Sequence, residues 1–262
     1  MEQKQNIITK DELIPSAHNH AKPMLSDAVF RPMLFSTPMV QALLAGRKTQ
    51  TRRVCKLQPN ADCYYISEYS QGVLTINYNQ GDENPKLKCP IDVGDTIWVR
   101  ESFYAWGYWL KNGFSKNGKQ KWKFKDLSDD IFEYKYTNNK PVCVSRLKFE
   151  GVRGYYKRSS LFMPKSACRI WLEIINIRVE HLNYISQIDA VAEGIEVIDG
   201  ILNDSPTFKN YQESGIENGY GFPHNSYFSL WDLINGKDSH KENPLVWVYD
   251  FEVVQECPHG FR

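Results

Sequence analysis

The sequence predicts a mixed α+β protein, on three observations. Alternating apolar and polar residues mark strands at Asp95–Phe103, Arg169–Val179 and Leu245–Val254. Short runs bounded by helix start or stop residues mark helices at Pro38–Gly46, after Ser186 and at Asn225–Leu233. The 262 residues are 42% hydrophobic and 13% aromatic, which suits a globular chain able to bury a sizeable core in one large or two small domains.

Residues 1 to about 30 mix polar residues, prolines and both charge signs without periodicity, and read as a tail. Arg31–Ser36 (RPMLFS) reads as the first strand. In the run that follows, Met39, Leu43 and Leu44 have i, i+4, i+5 spacing. Pro38 suits a first helical turn and Gly46 the left-handed position after the last. Lys48 then falls in a turn. If a strand starts at Thr49, alternation sends Thr49, Thr51 and Arg53 to one face and Gln50 and Arg52 to the other.

Tyr64–Ile66 and Val73–Tyr78 read as a hairpin turning at Gln71-Gly72, and Ile131–Tyr136 as a further strand. Ser186 suits a helix N-cap with Asp189 at the third position, and Ile188, Val191, Ala192 and Ile195 form the expected apolar stripe. Glu193 falls at the end of that helix, before Gly194. A carboxylate there opposes the helix dipole and calls for a cation to offset it. Trp98, Trp171, Trp231 and Trp247 sit in apolar patterns and are expected in the core, and Asn243-Pro244 launches the last strand.

Net charge is +1, so any anionic partner must be met by a local surface. Such surfaces are present. Arg47–Lys56 and Lys111–Lys125 carry bases and no acid, Arg146–Arg169 is basic around a single Glu150, and Glu180–Glu217 is mostly acidic. Trp106, Tyr108, Trp109, Phe114, Trp122 and Phe124 interleave with the lysines, which suits either base stacking or rings packed beneath a surface hairpin.

The cysteines at 55, 63, 89, 143, 168 and 257 form no C-x-x-C pair, which points to reduced thiols in a cytoplasmic protein and to no metal site. His18-Asn19-His20 and Cys257-Pro258-His259 are the nearest approaches to ligand pairs. No apolar run approaches the ~20 residues of a membrane span.

Gly46, Lys48, Thr51 and Arg53 spell G-x-K-x-x-T-x-R after a short helix, and the segment resembles the signature of the ASCH family of PUA-like β-barrel proteins. Arg31–Arg53, Val93–Phe103, Met163–Ile174, Leu230-Trp231-Asp232 and Asn243–Val248 look like the prophage-encoded subgroup of that family. The resemblance implies one PUA-like barrel over residues 31–256, short helices at its mouth, and insertions at about 56–88 and 105–160. It also implies recognition of a nucleoside or RNA; the lysine-aromatic stretch adds single-stranded nucleic acid as a candidate partner, and no cofactor is expected.

Similarity to the N4-acetylcytidine amidohydrolase branch carries a catalytic lysine and threonine onto Lys48 and Thr51, and matches the acidic residue more loosely to Glu193. Arg47, Thr49, Arg52, Arg53 and Glu101 are then candidates for substrate binding; Glu101 otherwise pairs with an arginine across the sheet. Thr51 needs a base in reach, and Lys48 serves only when neutral. Burial and neighbouring arginines lower its pKa, while Glu193 raises it, and the balance is open. The alternatives are a module that binds RNA or a modified base without reaction and a ribonuclease, for which the sequence offers neither a His pair nor an acidic metal cluster.

Overall fold

The computed structural model describes residues 29–58, 64–70, 73–78, 86–128, 132–134, 141–143, 148–202 and 205–254. The expected tail up to residue 28, the Gln71-Gly72 turn, His18-Asn19-His20 and Cys257-Pro258-His259 lie outside these residues.

In chain order the main elements begin with β1 (Phe30–Leu34), α1 (Thr37–Leu44), β2 (Gln50–Val54), β3 (Tyr64–Ser70), β4 (Val73–Tyr78), β5 (Lys86–Lys88) and β6 (Thr96–Arg100). Next come β7 (Phe103–Phe114), β8 (Gln120–Asp126), β9 (Glu133–Tyr134), β10 (Gly154–Arg158) and β11 (Trp171–His181). The chain continues through α2 (Gln187–Ala192), β12 (Val197–Leu202), β13 (Ser205–Phe208), α3 (Pro223–Asn235) and β14 (Leu245–Val254). The fold is α+β, with many strands and few helices.

The central sheet has the order β1-β6-β11-β14-β2 and is antiparallel except for the β1–β6 pair. β14 is apolar toward both sides, because both faces of the sheet are covered. Trp247, Tyr249 and Phe251 enter one core with Met39, Leu43 and Leu172; Val246 and Val248 enter a second with Tyr227 and Trp231 of α3 and Ala190 of α2. β3-β4-β5 and β10-β7-β8 form sheets of their own.

Several elements depart from expectation. No described sheet closes into a barrel: β1 and β2 end the central sheet without pairing to each other. The strand expected at Asp95–Phe103 breaks at Glu101-Ser102, where the chain leaves the central sheet for its neighbour. Arg169 holds the Glu101 carboxylate there through bonds of 2.8 and 3.0 Å. The stripe expected on α2 holds only in part: Ile195 is buried in the second core, but two of the helix residues before it turn outward. Ile188 is 82% exposed and Val191 48%, whereas Asp189 and Glu193, one turn apart, point inward. What they meet is the polar face of β2, so charge docks this helix beside the apolar contact of Ala190.

Candidate functional site

β2 is an edge strand with both sides covered, and the pairing Thr51↔Tyr249, Arg52↔Val248, Arg53↔Trp247 fixes which side each residue serves. Gln50 and Arg52 share the face with α2 and α3. Thr51 and Arg53 share the other with Tyr249 and Trp247. Alternation within β2 therefore holds, but Thr49 precedes the strand and is exposed, its N–H bonded to the Ala192 carbonyl at 2.9 Å.

A buried ion cluster centres on Glu193. One carboxylate oxygen is 2.5 Å from Lys48 Nζ and the other 3.1 Å from Arg52 Nη1. Lys48 also donates to the Glu193 carbonyl at 2.9 Å, so one ammonium answers both the carboxylate and the free end of α2. Arg52 bonds Glu180 through Nε and Nη2 at 2.9 and 2.6 Å, and its guanidinium lies 5.8 Å from the Tyr227 ring centre. Gln50 and Arg178 link Asp189 to Asp250 around the rim.

Gly194 makes this packing possible. Its φ of +83° is left-handed, and a Cβ there would stand 2.7 Å from Cβ of both Ala42 and Lys48. Arg47, on the outside of the same turn, donates to the carbonyls of Gly194 and Ile195 at 3.0 and 3.1 Å. Its guanidinium thus fastens α2 to the turn.

Burial pulls the Lys48 pKa below the ordinary lysine value, against the charge and hydrogen bond of Glu193 and with help from Arg53 and Arg52. Arg52 goes the other way: burial works against its charge, but Glu193 and Glu180 hold its pKa above the usual arginine value. Burial also opposes ionisation of Asp189, yet bonds from Gln50 and Ser186 and the charges of Arg178 and Arg52 keep it below the usual carboxylate range.

Thr51 is fully buried, and its hydroxyl has no hydrogen-bond partner. With Lys48 and Glu193 also at 0–1% exposure, the three groups are sealed from solvent.

The opposite face of β2 opens on a cavity of about 470 Å³. It lies between the unpaired edges of the central sheet, bordered by Met33 and Leu34 of β1 and by Arg53 and Val54 of β2, with Trp247 and Tyr249 between. Arg53 bridges the gap, donating from Nη2 to the Leu34 carbonyl at 2.7 Å with its guanidinium 5.0 Å from the Phe35 ring centre. Lys56, Lys88 and Arg100 also line the cavity, and none of its lining residues is acidic. Nε of Arg53 and Nε of Arg100 are buried without a partner.

Sequence reasoning missed Lys56, Lys88, Arg100, Trp247 and Tyr249 as cavity residues. Arg53 was the available signal, since register pairs it with Trp247. Glu101 does not line this cavity; it is 2% exposed and is taken by Arg169, as the alternative pairing anticipates. Among the described residues no group of three or more His, Cys, Asp and Glu side chains could hold a metal, and no helix is long and apolar enough to cross a membrane. Comparison of the chain with family models, curated proteins and solved structures finds no match.

Proposed function

We propose that this protein recognises a nucleoside or an unstacked RNA base in the cavity between β1 and β2, on a fold related to the PUA-like ASCH proteins. Four cations lining one cavity with no carboxylate among them carry the proposal. Arg52 spends its charge on carboxylates, whereas Arg53 and Arg100 each meet, among the described residues, only a backbone carbonyl and a ring, which leaves capacity for phosphate or carbonyl oxygen. The volume falls within the ~300–1,000 Å³ of small-ligand sites, and Trp247 and Tyr249 form part of the cavity wall. Arg53 is also the arginine of the G-x-K-x-x-T-x-R signature.

Titration calorimetry with cytidine, N4-acetylcytidine and cytidine monophosphate tests it. Binding that weakens at least tenfold in Arg53→Ala and in Arg100→Ala is expected, and a wild type that binds none of the three overturns it.

Amide hydrolysis is the second reading, favoured by the orphan Thr51 hydroxyl on the cavity's face of β2. This reading requires Lys48, held by Glu193 at 2.5 and 2.9 Å, to turn toward Thr51, whose hydroxyl it does not touch here. Neutral Lys48 then takes the Thr51 proton, and the alkoxide attacks the acyl carbonyl of an N4-acylated cytidine. The C–N bond breaks as the amine leaves with a proton from the lysine, and water then cleaves the acyl-threonine ester. Glu193 orients Lys48, and Arg53 faces the oxyanion. Substrate reaches Thr51 only if the wall of Arg53 and Tyr249 gives way.

Acetate release from N4-acetylcytidine checks this chemistry. The expected rate rises with pH as Lys48 loses its proton, with a midpoint below the ordinary lysine value, and Thr51→Ala abolishes it. Binding without acetate release leaves recognition standing and removes hydrolysis.

A further inference from the structure

The sheet β10-β7-β8 has two unlike faces. Register sends Phe103, Ala105 and Trp109 of β7 inward together with Tyr156 and Phe124, over Met163 and Ala167. Trp106, Tyr108 and Leu110 go outward, beside Tyr155 and Lys157 of β10 on one flank and Lys125 and Lys123 of β8 on the other. Trp106 is 40% exposed and Leu110 37%, so this face is open to solvent.

β8 itself alternates. Lys121, Lys123 and Lys125 are exposed, while Trp122 and Phe124 are half-buried beneath them. Lysine repeats every second residue, about 7 Å apart along the strand. Across β7, Arg153 brings its guanidinium to 5.9 Å from the Tyr108 ring centre, and Trp106 meets Tyr155 edge-on at 5.1 Å. Asp126 is registered with Gly107 on the inner face, and Glu133 shares the outer face only at the far end of the strand, where it flanks Tyr104 across from Lys157.

We infer that this outer face is a platform for single-stranded nucleic acid, separate from the cavity and independent of the function proposed for it. Bases stack on Trp106 and Tyr108, and Lys121, Lys123, Lys125 and Lys157 meet the phosphates. An exposed aromatic stripe fenced by unpaired cations fits a ligand carrying flat apolar rings and a repeating negative charge together. An acidic peptide matches the lysines but leaves the rings unused.

Fluorescence anisotropy of labelled oligo(U) and oligo(dT) 12-mers with the full chain, at several salt concentrations, tests the assignment. Trp106→Ala and Tyr108→Ala are each expected to weaken binding about tenfold, with Trp106→Phe restoring most of it. Replacing Lys121, Lys123 and Lys125 together by glutamine is expected to flatten the log–log salt dependence by about two. All four variants keep nucleoside binding in the cavity, whereas Arg53→Ala loses that binding and keeps the oligonucleotide. Failure of one site is thereby distinguished from failure of the other. A wild type that binds neither oligonucleotide overturns the platform. So does binding that ignores both ring substitutions, or that is matched by a heparin fragment, which has charge and no bases.

Discussion

Arg52 and Arg53 are neighbours on one strand and stand in opposite circumstances. Arg52 has no side-chain exposure and is met by Glu180, Glu193 and Gln50, beside the Tyr227 ring. Arg53 meets one backbone carbonyl and one aromatic ring, and its Nε is left without a partner beside a cavity that holds three further cations and no acid. A buried cation surrounded by carboxylates is already satisfied, and removing a member of such a cluster costs folding energy. A cation that folding leaves under-satisfied keeps its strongest interactions for whatever enters. The two faces of β2 thus differ: one docks α2 and α3, and the other borders the cavity proposed above as the binding site.

Breaking the satisfied face has the largest expected effect. Glu193→Ala leaves Lys48 without its carboxylate partner and strips one contact from Arg52, and urea unfolding is expected to show a loss of about 3–5 kcal/mol. Gly194→Ala follows, because the added methyl meets Ala42 and Lys48 in a left-handed backbone; about 1–3 kcal/mol is expected from the same measurement. Arg53→Ala should cost only about 1 kcal/mol of stability for its carbonyl bond, while affinity for a cytidine nucleoside falls at least tenfold. A stability loss in Arg53→Ala as large as that in Glu193→Ala would erase the distinction between the two faces.

Much of this arrangement is written locally. The helix start and stop around Pro38 and Gly46, the alternation that separates Arg52 from Arg53, and the cap at Ser186 each depend on neighbours in the chain. The need of Glu193 for a cation was legible for the same reason, since a carboxylate at a helix end is locally unfavourable; that Lys48 supplies it is a contact across 145 residues. The outward turn of Ile188 and Val191 was not legible, because in a helix of six residues two inward carboxylates, Asp189 and Glu193, are enough to set which face docks. Nor was the cavity. It arises where β1 and β2 fail to pair, and Lys56, Lys88 and Arg100 come to it from separate segments with no shared spacing.

Thr51 gives the smallest expected effect and the finest discrimination. Its hydroxyl is buried without a partner, so its polar group is an expense to the fold rather than a support. Thr51→Val keeps the β-branched shape and removes that group, and thermal unfolding is expected to show unchanged or slightly raised stability, by up to about 1 kcal/mol. If hydrolysis is the reaction, the same variant loses acetate release entirely while still binding N4-acetylcytidine at Arg53. A stable variant without turnover separates the hydroxyl's chemistry from its packing. A variant destabilised by more than about 1 kcal/mol would instead reveal a structural hydrogen bond, and Thr51 would then belong with Arg52 among the groups that hold the strand in place.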